Sequence, residues 1–150
     1  MILDNDLQSN DEYQTLKEEQ AQAARKINYG FFVLIVLILQ TIYGIIMLDD
    51  NVASPKAFYI LTGSILAVYI GCFAYAINNP KKGMMAAVIA LIAMYILFSM
   101  VYPGNLFRGL LMRIISIVIL FRAHQAGERL EEILFQMERM ADRLAREKNG

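Results

Sequence analysis

Four apolar blocks, at about 28–48, 58–77, 84–102 and 106–121, contain no Asp or Glu, and the only charges inside any of them are Arg108 and Arg113. The first three have the length of about 20 residues with which a helix crosses about 30 Å of hydrocarbon. A chain of 150 residues that is 57% hydrophobic has far more apolar surface than one small water-excluded core can absorb, so much of it must face lipid or a neighbouring helix. In lipid each backbone N–H and C=O has to be satisfied within its own segment, which selects helices over open strands. The expected fold is therefore all-α, an integral membrane four-helix up-down bundle.

Short connections carry the antiparallel reading. Turn formers stand between the blocks at Ser54-Pro55, Asn79-Pro80 and Pro103-Gly104, and brief links force successive helices to reverse direction. Three regions follow: an N-terminal amphipathic segment at 1–27, the four spans at 28–121, and a C-terminal helix at 122–150. Residues 1–27 are polar and carry six acids against three bases. They differ from the short basic start of a cleaved signal peptide, so the first block is expected to stay as an anchor.

Lys and Arg near the span ends predict the orientation. With the N-terminus in the cytoplasm, Lys17, Arg25, Lys26, Lys81, Lys82, Arg122 and Arg129 fall inside, and Lys56 and Arg108 fall outside. Both termini are then cytoplasmic. A single cysteine, Cys72, and the absence of Asn-x-Ser/Thr sequons fit a bacterial inner membrane.

The last block is the shortest and holds both arginines. From a helix start near Asn105, Arg108 lies about 5 Å and Arg113 about 12 Å inward at 1.5 Å per residue. The expectation is an outer ion pair of Asp49 or Asp50 with Arg108, and Arg113 held by Gln40, Tyr43 or free carbonyls. Together Arg108, Arg113, Gln40, Tyr43, Asp49 and Asp50 form the candidate polar site. Both arginines have stems long enough to snorkel to the headgroups, which favours anchoring over a ligand role.

Gly63, Ala67 and Gly71 recur four apart in the second block, and Ala86, Ala90 and Ala93 share a face of the third. Small residues let helices approach closely where lipid supplies no hydrophobic drive. They are expected to form the seam of the central hairpin, with a homodimer face as the alternative.

The most regular signal lies after the last block. Ala123, Ala126, Leu130, Ile133, Met137, Met140 and Leu144 follow 3,4 spacing over about three heptads, the pattern of a coiled-coil seam. Leu130, Ile133, Met137, Met140 and Leu144 are the expected partner-binding residues, engaging a second copy or another membrane protein; the alternative is a helix lying on the inner leaflet. Upstream, Tyr13, Leu16, Gln20, Ala23 and Ile27 repeat the spacing in weaker form, so the two terminal helices can pack together. Gly127 is expected to loosen the junction between the fourth span and its tail.

Catalysis needs paired acids and bases, a nucleophile with its base, or ligands at metal spacing. The sequence shows none, so no enzyme activity, cofactor, metal site or nucleic-acid partner is expected. A coupled transporter would need an acid inside a span, which is also missing. The function expected is that of a structural, scaffold or assembly subunit acting through its cytoplasmic helices. The alternative is an oligomeric channel or small transporter subunit, with Arg113 favouring anions.

Overall fold

The computed structural model describes residues 11–46, 55–101 and 110–149, and within them the chain is all-helical. Four helices follow in order, α1 Asp11–Ile46, α2 Pro55–Asn78, α3 Pro80–Val101 and α4 Leu110–Asn149. Each is long and apolar enough to cross a membrane. Pro55 and Pro80 open α2 and α3, where a missing N–H costs nothing and φ is already helical.

The helices form a closed ring in which α1 packs on α2 and α4, and α3 packs on α2 and α4, with the α1/α4 contact the most extensive. Only Asn79 separates α2 from α3. Its N–H donates to the Tyr75 carbonyl at 3.0 Å, and its carbonyl accepts from the Gly83 N–H at 2.8 Å. Those two bonds close one helix and start the next.

Lengths separate two pairs. At 1.5 Å per residue, the 24 and 22 residues of α2 and α3 span about 36 and 33 Å, whereas the 36 and 40 residues of α1 and α4 span about 54 and 60 Å. The terminal helices therefore overshoot the central hairpin by roughly 20 Å. From Asp11 in α1 and to Asn149 in α4, the two helices run unbroken between bundle and tail.

Leu34, Met84 and Leu120 are the largest fully buried side chains, one each from α1, α3 and α4. Around them, chains approach most closely where side chains vanish. A Cβ added to Gly83 would lie 2.3 Å from the Ala76 Cα, and one on Gly30 would lie 2.6 Å from the Ala123 Cβ. Phe31 and Phe73 meet edge to face at 5.6 Å, joining α1 to α2.

The seam of the hairpin differs from the expectation. Gly63, Ala67 and Gly71 point outward: Ala67 and Gly71 are exposed, and a Cβ on Gly63 or Gly71 would meet nothing within 4 Å. The hairpin closes instead on Ile65, Tyr69 and Ala76 of α2 and Met84, Ala87, Val88 and Leu91 of α3, all buried. The tight turn at Asn79 sets which faces meet, and it brings Gly83 onto Ala76; a small-residue stripe only permits close approach.

Gly127 also departs from its expected role. The helix continues through it, and the missing side chain lets the Lys81 backbone approach to 2.9 Å from where its Cβ would be. His124 reinforces that contact, its Nδ1 lying 2.9 Å from the Lys81 carbonyl oxygen. The Lys81 ammonium then reaches Glu128 at 3.5 Å and Glu131 at 3.3 Å. This junction clamps the α2–α3 turn against α4.

Candidate functional site

A cavity of about 230 Å³ opens between all four helices, in the half of the bundle remote from the tails. Arg113 of α4 and Gln40 of α1 line it together, as their expected common depth implies. Tyr43, one turn further along α1, is exposed and is not part of the lining. Asp49, Asp50 and Arg108 lie outside the described residues, and so does the ion pair expected of them.

What holds Arg113 is an aromatic ring. Its guanidinium carbon sits 4.8 Å from the centroid of Tyr95 on α3, within the 6 Å or so at which a ring quadrupole attracts a cation. Among the described residues no carboxylate forms an ion pair with it. The expectation of Gln40, Tyr43 or carbonyl partners gives way to this stack, because α3 brings Tyr95 to the level of Arg113.

Sequence reasoning missed five further polar residues in the lining, Thr41, Thr62, Tyr69, Tyr95 and Ser116. A signal was present: Thr62 and Tyr69 are two turns apart in the second block, and Tyr69 and Tyr95 lie well inside their blocks, away from the ends where tyrosines anchor. Ser116 donates to the Met112 carbonyl at 2.8 Å and Thr41 to the Leu37 carbonyl at 2.7 Å. Thr62 is 5% exposed, and its Oγ1 is buried with no hydrogen-bond partner. A buried hydroxyl without a partner is costly and uncommon in native structures.

The tails form the second site. Ala23 and Ile27 of α1 and Ala123, Ala126 and Ile133 of α4 are buried, while Tyr13, Leu16, Gln20, Leu130, Met137, Met140 and Leu144 are half-buried. Every described position of the two heptad stripes is thus at least partly covered. A cavity of about 420 Å³ shared by Glu19, Ala23 and Lys26 with Arg122, Arg129 and Ile133 gives the register. Carried outward in an antiparallel pair from the contact of Gly30 with Ala123, the helices bring Leu16 near the level of Met137 and Tyr13 near that of Met140. Of the residues expected to bind a partner, Ile133 lines that cavity with α1 and Leu130 packs against the buried core.

Residues left on the outside of the paired tails are mostly charged, among them Glu131, Glu132, Glu138, Arg139 and Asp142. Two large apolar side chains stand among them: Leu134 is 48% and Phe135 54% exposed. The Arg139 guanidinium covers one face of Phe135 at 4.4 Å from its centroid. Among the described residues no group of three His, Cys, Asp or Glu side chains is placed to hold a metal ion. The chain matches no protein-family model, no curated protein and no solved structure.

Proposed function

We propose that this chain is a small multi-pass membrane protein that acts as a structural or assembly subunit, its α1/α4 stalk being the platform that a second copy or another membrane protein engages. Four helices of spanning length and composition support the membrane placement. So does a bundle surface rich in exposed large apolar residues, such as Ile60, Leu111 and Met100, which water would penalise and lipid would not. Lys26, Arg122 and Arg129 gather around one cavity where the apolar segments end. By the positive-inside rule that clustering favours a cytoplasmic stalk with both termini on the same side. The single cysteine and the lack of sequons support a bacterial inner membrane.

The observation that carries the assembly reading is the exposed pair of large apolar residues Leu134 and Phe135 on a stalk surface that is mostly charged or polar. Paired helices with an aromatic left outside present the kind of anchor that dominates interface energetics. Replacing Leu130, Ile133 and Met137 by Ser would unzip the stalk and perturb assembly only indirectly. Leu134→Ser with Phe135→Ser leaves the α1/α4 seam intact.

In a mild detergent the wild-type protein is expected to run at a mass above one chain or with a co-purified subunit. The double variant is expected to weaken that association by about 2 kcal/mol or more at unchanged helix content. A strictly monomeric wild type, or association indifferent to both substitutions, would contradict the proposal. One feature favours a second reading, a channel or transporter subunit: the cavity at Arg113 has a cation and an unpartnered hydroxyl in an apolar setting.

A further inference from the structure

We infer that the cavity at Arg113 binds the carboxylate head of a singly charged organic acid, with the acid's compact apolar body held among Leu37, Ile65 and Leu91. This stands on the cavity alone and is independent of whether the chain assembles through its stalk.

Three observations converge on that chemistry. The guanidinium has Tyr95 beneath it and no carboxylate beside it among the described residues. It offers five N–H donors and accepts nothing. Thr62 Oγ1, almost wholly buried, lines the same cavity with its donor unused. Gln40 adds a carboxamide, while the hydroxyl protons of Thr41 and Ser116 are engaged by backbone carbonyls.

An acceptor-only carboxylate satisfies such a set through charge-assisted bonds. A cation would be repelled. A neutral polar molecule would leave the arginine charge uncompensated in a medium where that is costly. A dianion would carry a net charge of its own into the apolar half of the bundle.

The walls exclude a bare ion as the best occupant. Leu37, Ile65 and Leu91 are buried apolar side chains facing a cavity of about 230 Å³, well above the roughly 10–15 Å³ that one water requires. A mostly apolar pocket with a few converging polar groups is the usual form of a small-molecule site.

The acid can come from the membrane, as an acyl chain, or from water, as a compact aromatic acid, and two probes separate the sources. Full-length protein in nonionic-detergent micelles is titrated calorimetrically with octanoate, benzoate, octan-1-ol and inorganic phosphate. Saturable binding of octanoate alone supports an acyl source, and binding of benzoate as well supports a water-borne one. Octan-1-ol and phosphate are expected to give no saturable heat.

Arg113→Gln should weaken acid binding at least thirtyfold, and Arg113→Lys, which keeps the charge, about tenfold or less. Thr62→Val should weaken binding about fivefold while raising the melting temperature of the ligand-free protein, because it removes a buried hydroxyl that has no partner there. Those opposite signs distinguish a ligand contact from a purely structural threonine. Equal binding of octanoate and octan-1-ol, binding of phosphate alone, no binding of either acid, or unchanged affinity in Thr62→Val would each overturn the proposal.

Discussion

Gly83→Val should cost the fold more than any other glycine substitution in the described residues. The added Cβ would stand 2.3 Å from the Ala76 Cα, 2.5 Å from its Cβ and 2.6 Å from its N. Two of those three atoms are backbone, so no rotamer change relieves the overlap, and the one-residue turn at Asn79 leaves no slack to separate α2 from α3. Overpacking of a close-packed interior costs about 1–3 kcal/mol and sometimes more. A backbone clash beside a tight turn belongs at or above the top of that range.

Gly63→Val and Gly71→Val are the controls. Their new side chains would meet nothing within 4 Å, and the expected change is within about 1 kcal/mol, the scale of helix propensity. Denaturant titration of helicity in detergent checks all three. Comparable losses at Gly63 and Gly83 would return the small-residue stripe to the hairpin seam.

The second large effect lies where α1 crosses α4. A Cβ at Gly30 would come 2.6 Å from the Ala123 Cβ and 2.9 Å from the Met84 sulfur. Met84 is flexible and can yield; Ala123 is carried rigidly by its helix. Gly30→Ala should therefore destabilise by about 1–3 kcal/mol, even though alanine is the better helix former.

Ala123→Gly removes the obstructing methyl. In the double variant it should recover at least about 1 kcal/mol of the loss, a coupling that only residues in direct contact show. Losses that add within about 0.5 kcal/mol would mean that α1 and α4 do not meet at this level.

Much of this architecture is legible in the residues themselves. The length of the apolar blocks and the prolines at 55 and 80 locate α2 and α3 to within a few positions, because hydropathy and the missing proline N–H act locally. The heptad spacing from Ala123 onward and its weaker echo at Tyr13–Ile27 mark the two faces that the structure covers. That spacing specifies a stripe but is silent on what covers it. The choice between a second chain and the same chain's N-terminus depends on α1 and α4 lying side by side in the ring.

Less legible were features set by tertiary contact. Gly127 reads as a loose joint in sequence, since glycine lowers helix propensity, yet in the fold it is where the Lys81 backbone docks. Gly63, Ala67 and Gly71 read as a seam because small residues are compatible with one, and which face turns inward is decided elsewhere, at Asn79. At the polar site, depth alone brought Gln40 to Arg113. Tyr95 and Thr62 join them through the rotations of α3 and α2, which no single-helix pattern reveals.

Within one chain α1 and α4 pair with each other on one side of the bundle as a continuous stalk. Ala23 and Ala126 line a shared cavity between those helices, so Ala23→Cys with Ala126→Cys in a Cys72→Ala background, treated in membranes with a short bis-thiol-reactive linker, tests it directly. The expected product is a bridged single chain with both thiols consumed. Free thiols after treatment, or bridging found only between two chains, would contradict it.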